Sequence, residues 1–332
     1  MTWLRLAEAA RFIHVLDIVR ARRRIAPFVR RTPLAGSAWL SDVAGAPVSL
    51  KLESLQVSNS FKSRGAFNAV IGRLERGELA QARLVTASAG NHGRALAAAA
   101  EAFHVPLVVF TPADAPRTKL DAIRRHGAEL RAEGRDYDHA EALAKQFAEA
   151  SGGAFVSPYN DPDVIAGAGT VALDIFEDAP DVDLLVVPIG GGGLISGIGV
   201  AARAIAPRCE VVGVEVEASC PFQTSLRAGS LVEIAPGPTL ADGLVGNPDP
   251  ETITFGLIQR VVDRIVTVSE DDLRTAIAGL AGEEHLIAEG AGAAATAALI
   301  GRRVDVGGRR VAVIVSGSNI DRERLVEVLR TN

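Results

Sequence analysis

An almost wholly apolar run at residues 184–189 leads directly into four glycines, at positions 190–193, and then into a helix-like segment. A strand without polar alternation is typical of a parallel sheet that is covered on both faces. Consecutive glycines at a helix start expose backbone N–H groups, and a phosphate can approach them closely. No lysine follows the glycines, so this is not the P-loop of nucleotide hydrolases. The stretch predicts a buried parallel strand that ends at a phosphate site.

The rest of the chain repeats this order of strand and helix almost throughout. Such alternation predicts an α/β fold with two doubly wound parallel-sheet domains. A length of 332 residues also suggests two domains rather than one core. We predict a large domain of residues 1–81 and 159–332, and a small mobile α/β domain of residues 82–158. Strand-like segments lie at 48–52, 84–86, 107–110, 128–131, 154–156, 184–189, 210–216, 264–268 and 311–315, and helix-like segments at 5–24, 94–103, 116–126, 137–151, 163–177, 219–228, 250–260 and 270–283.

Lys62 lies at a predicted helix start, shortly after the strand at 48–52. Residues 58–60 are serine, asparagine and serine, which are favoured N-cap residues. The positive end of the helix dipole, the neighbouring Arg64 and burial beside Phe61 would all lower the pKa of this lysine. A lysine with a lowered pKa is suited to Schiff-base chemistry, because the free amine is the nucleophile. Taken alone, Lys62 is more simply explained as a surface lysine.

A second turn, at residues 88–93, is rich in glycine and follows the strand at 84–86. Its N–H groups and the hydroxyl of Ser88 could bind a carboxylate, and Asn91 could donate a hydrogen bond to a phenolate. His92 could act as a base, although a lone histidine beside glycine is more often structural. The alternative for the whole segment is a tight turn with capping residues.

Ser316 ends the apolar strand at 311–315, where its hydroxyl could pair with a ring nitrogen or cap the following helix. Residues 289–292, Glu-Gly-Ala-Gly, form either a turn that allows close backbone approach or a helix start. Ligands of parallel sheets bind at the carboxyl ends of strands. The Lys62 turn and the Gly/Ser-rich turns all follow strands, so they can converge on one crevice.

A dinucleotide site is a real alternative at the glycine run. Gly191, Gly193 and Ser196 approximate the G-x-G-x-x-small pattern, and Glu215 lies near the end of the next strand, where a ribose-binding acid is expected. From this region alone, a phosphate site and a nicotinamide oxidoreductase fit almost equally well.

Composition excludes several functions. A net charge of −5 with 5% aromatic residues and no basic stripe argues against nucleic-acid binding. The two cysteines, Cys209 and Cys220, are too few for a disulfide framework and fit a reducing cytoplasm. Apolar runs are shorter than a membrane span, and charges interrupt the N-terminal segment, so neither a membrane anchor nor a signal peptide is expected.

Taken in order, these motifs resemble the pyridoxal-phosphate enzymes of fold type II, which are similar in fold to the β subunit of tryptophan synthase. The resemblance is greatest to serine/threonine dehydratases and serine racemases, and it covers nearly the whole chain in the family's order. It implies an active site in the cleft between the two domains and a homodimer or homotetramer. The matching segments lie at 31–34, 51–53, 60–66, 88–93, 161–167, 187–197, 241–243 and 316–321.

The resemblance also implies how the cofactor, pyridoxal 5′-phosphate, is bound. Lys62 would hold it as a Schiff base, Phe61 would line the ring pocket, Asn91 would bond the phenolate oxygen, and Ser316 would contact the pyridine nitrogen. A hydroxyl partner leaves that nitrogen largely neutral, which favours elimination of a β-leaving group. The backbone around the phosphate would come from Gly190, Gly191, Gly192, Gly193 and Leu194.

The implied reaction is dehydration of a 3-hydroxy amino acid, such as L-threonine or L-serine, to a 2-oxo acid and ammonia. Lys62 and Ser88 would be the catalytic residues. One departure from the serine racemases favours elimination over racemisation, because Ala89 stands where they carry a second acid/base serine. Asn59 and the pair at 159–160 also depart from the usual pattern, so another substrate such as hydroxyaspartate is an alternative. The substrate carboxylate would be bound by Ser88, Ala89, Gly90, Asn91 and His92.

No metal site is expected from the resemblance. Metal-dependent relatives place a cation between an acid like Glu215 and a second acid six residues further on. Here that second position is Pro221, which cannot ligate a cation.

Overall fold

The computed structural model of the protein describes residues 13–331, and the strands of this part form two separate sheets. The larger sheet has the spatial order β1-β2-β10-β7-β8-β9, and the smaller has the order β5-β4-β3-β6. Every adjacent pair is parallel except β1 with β2. The strands are β1 (Leu34–Gly36), β2 (Val48–Leu52), β3 (Leu84–Ala87), β4 (Leu107–Pro112), β5 (Glu129–Gly134), β6 (Ala154–Phe155), β7 (Leu184–Pro188), β8 (Glu210–Val216), β9 (Arg264–Val268) and β10 (Val311–Val315).

Helices cover both faces of each sheet, so the predicted α/β class with two parallel sheets is confirmed. No helix among residues 13–331 has the length and apolar character needed to cross a bilayer. The helices are Val15–Ile25, Ala38–Ala44, Lys62–Glu75, Asn91–Ala102, Arg117–Arg124, Tyr137–Ser151, Pro162–Asp178, Gly193–Ile205, Pro221–Ala228, Thr254–Val261, Glu270–Gly282, Gly290–Ile300 and Arg322–Thr331.

Strands β7 and β10 explain why the sequence shows no polar alternation there. All residues of both strands are buried. Leu184 and Val186 pack on one face with the alanine-rich helix Gly290–Ile300. Leu185 and Val187 pack on the other face with Pro162–Asp178 and Gly193–Ile205. Successive side chains of a strand point to opposite faces, so a sheet with helices on both faces needs apolar residues at every position.

Each predicted strand is present, and the bounds 48–52, 210–216, 264–268 and 311–315 are those observed. The prediction missed β1, which pairs antiparallel with β2, and the helix Ala38–Ala44 that follows it. A three-residue strand is too short to show a hydrophobic period. The predicted helix at 5–24 corresponds to Val15–Ile25, and its residues 5–12 lie outside the described part.

The parallel strands determine where the functional turns meet. Strand β7 leads into the glycine run, β10 ends at Ser316, and β2 leads through the short turn Glu53–Leu55 toward Lys62. All three belong to the larger sheet, whereas the turn at 88–93 follows β3 of the smaller sheet. The site therefore lies between the two sheets. The domain bounds at 81/82 and 158/159 stay a prediction.

Candidate active site

A cleft of about 760 Å³ lies between the two sheets. Its walls come from the carboxyl ends of strands in both sheets and from the turns that follow them. It brings together every residue that the sequence singled out as a site residue. Those residues are Phe61, Lys62, Ser88, Ala89, Gly90, Asn91, His92, Gly190, Gly191, Gly192, Gly193, Leu194 and Ser316.

Lys62 is the first residue of its helix and is half-buried in the cleft wall. Its Nζ donates a hydrogen bond to the carbonyl of Pro158 at 2.8 Å and lies 5.1 Å from the centre of the Phe61 ring. Burial lowers the pKa of the amine to about 8, and the nearby carboxyl of Glu289 opposes that shift. The uncharged fraction of this amine near neutral pH is therefore far larger than in an ordinary lysine, and the uncharged amine is the nucleophilic form.

Two predictions about the start of this helix were wrong. Arg64 does not act as a free like charge, because its guanidinium is buried in bonds to Glu53, at 2.8 Å, and Asp174, at 2.7 Å. The helix also has no side-chain cap, since the N-cap position is Phe61 rather than one of residues 58–60. Burial, which the sequence analysis also predicted, is the largest cause of the lowered pKa.

The glycine run forms a cradle with no room for side chains. Gly192 has a left-handed φ of +85°, which glycine adopts at little cost. A Cβ on Gly191 would overlap the ring of Tyr159, and a Cβ on Gly190 would lie 3.0 Å from the carbonyl of Gly243. The helix that follows begins at Gly193, so its first N–H groups lack intrahelical partners. The cradle thus presents donors and a helix N-terminus to an anion.

The turn at 88–93 supplies the opposite wall. The hydroxyl of Ser88 accepts a hydrogen bond from the N–H of Gly90 at 3.2 Å, and Asn91 begins the next helix. His92 is buried, and one ring nitrogen lies 3.4 Å from the carbonyl of Val156. Burial lowers the pKa of His92 to about 3, with the charge of Lys62 as a further cause. The imidazole is therefore neutral at physiological pH, and so low a pKa makes it a weak base, which favours the structural role over the predicted alternative of a base.

Ser316 is buried at the end of β10, and its hydroxyl donates to the carbonyl of Ala291 at 3.3 Å. It does not cap the last helix, which begins at Arg322. Its place in the cleft wall agrees with the predicted contact to a ring nitrogen, and that role stays a prediction.

Glu289 is a site residue that the sequence analysis left unassigned. It is buried at the start of Gly290–Ile300, and its Oε1 accepts a hydrogen bond from Nδ2 of Asn91 at 2.5 Å. Burial raises the pKa of this carboxyl to about 7, although the bond from Asn91 opposes the shift. A Cβ on Gly317 would overlap its Oε1, so the glycine makes room for it. The only signal in the sequence was an acid next to Gly-Ala-Gly.

Glu215 does not line this cleft, contrary to what a dinucleotide site requires. It is fully buried, and its two oxygens accept the N–H groups of Phe222 and Gln223 at 2.9 and 2.8 Å. The carboxyl thus caps the helix Pro221–Ala228. The nicotinamide alternative thereby loses the acid on which it depended.

Comparison with known proteins agrees with this geometry. Residues 25–317 match the family described as pyridoxal-phosphate dependent enzyme. The chain is 43% identical over 305 residues to L-threonine ammonia-lyase of Thermotoga maritima, with 92% of this chain and 75% of that protein covered. It is 37% identical over 317 residues to serine racemase of Schizosaccharomyces pombe, with 94% and 96% covered. The structure of maize serine racemase superposes with a TM-score of 0.89 at 29% identity, with 96% of this chain and 97% of that chain covered.

The two sheets with their shared cleft define an α/β enzyme of pyridoxal-phosphate fold type II. The chain belongs to the pyridoxal-phosphate dependent enzyme family, in the group of threonine dehydratases and serine racemases.

The residues of the cleft fit this cofactor. The glycine cradle suits its phosphate, the half-buried amine of Lys62 suits its aldehyde, and the N–H groups of Asn91 suit its phenolate oxygen. The hydroxyl of Ser316, at the end of β10, suits its ring nitrogen.

Proposed function

We propose that the protein catalyses the dehydration of a 3-hydroxy amino acid, L-threonine or L-serine, to a 2-oxo acid and ammonia. One observation carries the proposal most directly. A lysine amine with its pKa lowered to about 8 shares a cleft with a phosphate cradle, while Ala89 in the same cleft has no proton to give. When bound, pyridoxal phosphate supplies the electron sink that makes the α-proton of the amino acid acidic.

Lys62 is the residue that we assign to proton transfer. Its Nζ is the group in the cleft best suited to accept a proton, because His92 has its pKa lowered to about 3 and Lys119, which also lines the cleft, is paired with Asp242. The amine removes the α-proton of the substrate, and Phe61 keeps that amine against an apolar ring. Burial lowers the pKa of the amine toward neutrality, so a larger fraction of it is free to accept a proton than in an ordinary lysine.

The turn at 88–93 is assigned to the substrate carboxylate. The first N–H groups of Asn91–Ala102 and the hydroxyl of Ser88 face the cleft, and a helix N-terminus favours an anion. Binding of the carboxylate there places the α-carbon within reach of Lys62. The α-proton and the β-hydroxyl leave as water, and the released enamine is hydrolysed to the 2-oxo acid and ammonia.

Ala89 favours dehydration over racemisation. Racemisation needs a proton donor on each face of the α-carbon, and Ala89 contributes only a methyl group to the cleft wall. The relatives do not choose between dehydration and racemisation, since they include both an L-threonine ammonia-lyase and a serine racemase. The predicted homodimer or homotetramer, and the cytoplasmic location, stay predictions.

A substrate panel scored by 2-oxo acid release tests the proposal. The wild-type protein, loaded with pyridoxal phosphate, is expected to release 2-oxobutanoate from L-threonine or pyruvate from L-serine. Lys62→Ala should abolish this release. Lys145→Ala is the matched control, because Lys145 is exposed and lies outside the cleft lining. Full activity of Lys62→Ala, or no release from any 3-hydroxy amino acid by the wild type, would overturn the proposal.

A further inference from the structure

Four side chains form a hydrogen-bonded chain along one wall of the cleft, and Arg94 stands at its outer end. Nη1 of Arg94 donates to Oδ1 of Asn319 at 2.6 Å. Nδ2 of Asn319 donates to Oδ1 of Asn91 at 2.6 Å. Nδ2 of Asn91 donates in turn to Oε1 of Glu289 at 2.5 Å. All four residues line the cleft.

The direction of the hydrogen bonds in this series of side chains is fixed by the groups at its two ends. A guanidinium only donates hydrogen bonds, so the atom of Asn319 that faces Arg94 must be the carbonyl oxygen. The amide nitrogen of Asn319 then faces Asn91, and it also donates to the carbonyl of Ser58 at 2.9 Å. The oxygen of Asn91 is therefore occupied, and its nitrogen is left to face Glu289 and the cleft. A flipped Asn319 would set N–H groups against N–H groups at Arg94 and leave the Ser58 carbonyl without this donor.

The positive charge of Arg94 is not used in an ion pair. Among residues 13–331, no carboxylate oxygen lies within 4.0 Å of its guanidinium. The charged groups that act on it are Arg125, which repels it, and Glu289, which attracts it. The guanidinium thus polarises the amide of Asn319, and a polarised amide is a stronger donor to the next group.

We propose that Arg94 is a positioning residue that acts through Asn319 and fixes the amide of Asn91 with its nitrogen, not its oxygen, toward the cleft. The inference rests on the proposed function, in which that nitrogen donates to the phenolate oxygen of pyridoxal phosphate. An amide nitrogen has two hydrogens, so one can reach Glu289 while the other faces the cofactor. An oxygen in that place would repel the phenolate. Nothing in the sequence motifs pointed to Arg94.

The experiment compares cofactor binding by three variants with the wild type. Arg94→Met removes the donor, whereas Arg94→Lys keeps a group that can only donate. Arg125→Met is the matched control, because it removes a neighbouring exposed charge but none of the hydrogen bonds that link Arg94 to Glu289. The measurements are the dissociation constant of pyridoxal phosphate and the ratio of the two absorption bands of the bound cofactor, which reports where the phenolic proton lies.

We expect Arg94→Met to bind the cofactor about tenfold more weakly, the order of one lost hydrogen bond to a charged group, and to shift the band ratio. Arg94→Lys should recover most of the affinity and most of the band ratio, and Arg125→Met should match the wild type in both measurements. Wild-type affinity and spectrum in Arg94→Met would overturn the inference. An equal loss of cofactor affinity in Arg125→Met would also overturn the inference, because the loss would then follow from the removal of any nearby positive charge. A wild-type protein that binds no pyridoxal phosphate would instead refute the proposed function, on which the inference rests.

Discussion

The ring of Tyr159 lies so close to Gly191 that a Cβ on the glycine would be far inside van der Waals contact with the ring carbons. Tyr159 is itself held in place, because its hydroxyl accepts the N–H of Asp249 at 2.8 Å. The glycine cradle is therefore shaped by a fixed aromatic side chain. Its glycines are needed for packing against protein as well as for the approach of an anion.

Gly191→Ala should displace the cradle and weaken cofactor binding. We expect the affinity for pyridoxal phosphate to fall at least about tenfold, since the N–H donors shift with the backbone. Equilibrium titration of the cofactor-free protein measures the change. Gly282→Ala is the control, because nothing lies within 4 Å of a Cβ there. Equal affinity in both variants would contradict the assigned phosphate site.

The buried ion network beside Lys62 should be a major contributor to stability. Arg64 bonds Glu53 and Asp174 with almost no exposure of any of the three side chains. Arg64→Met leaves Glu53 buried without its cation and leaves Asp174 with Lys51 alone, at 3.3 Å, so we expect a loss of about 3 kcal/mol in the free energy of unfolding. The control, Arg22→Met, breaks a partly exposed pair with Glu177 and should cost less than about 1 kcal/mol. Denaturant titration at neutral pH separates the two outcomes.

His92 should make the protein sensitive to acid. Its pKa is lowered from 6.5 to about 3 by burial, so the unfolded chain binds a proton that the folded chain refuses. Stability is then full above pH 6.5 and falls as the pH drops toward 3, by up to about 1.4 kcal/mol per pH unit. His92→Gln should flatten this part of the stability curve. His104→Asn, at an exposed position with φ of +54°, is the matched control for the loss of a histidine.

Lys62 should react with pyridoxal phosphate at a lower pH than an ordinary lysine. The free amine is the reactive form, so the rate of imine formation should rise through a midpoint near pH 8, where its pKa lies. Glu289 raises the pKa of Lys62, and Glu289→Gln should therefore move that midpoint to lower pH. A stopped-flow series over pH 6–11 gives both midpoints. An unmoved midpoint in Glu289→Gln would show that the two groups are not coupled.

Ala89→Ser should increase racemisation relative to dehydration, because it adds a group that can carry a proton to the cleft wall. The product ratio of D-serine to pyruvate, measured from L-serine, is expected to rise. The wild type provides the baseline. No gain in D-serine would mean that another feature of the cleft blocks the second face.

Much of the fold could be predicted from periodicity, because buried strands such as β7 and β10 must be apolar on both faces. The same signal could not find β1, whose pairing with β2 depends on tertiary contact rather than on any local pattern. The helix Gly290–Ile300 was left open, since an alanine-rich segment that is buried on all sides shows no amphipathic period.

The candidate site was predictable where the chemistry is local to a turn, as at Lys62 and the glycine run. Interactions between segments that lie far apart in the sequence could not be predicted. Arg64 looked like a neighbouring charge, but its partners Glu53 and Asp174 lie 11 and 110 residues away. Glu289 and Arg94 likewise gain their roles only when the fold brings Asn91 and Asn319 between them.

The capping bonds of Glu215 have an evolutionary consequence. Both oxygens of this acid hold the start of Pro221–Ala228, so its carboxylate cannot be recruited to a ribose without loosening that helix. A nucleotide-using descendant of this scaffold would need a new acid elsewhere and a substitute cap, acquired together. The glycine run alone is thus an unreliable sign of a nucleotide-binding site. Whether the acid on the next strand is free to bind a ribose is the better criterion.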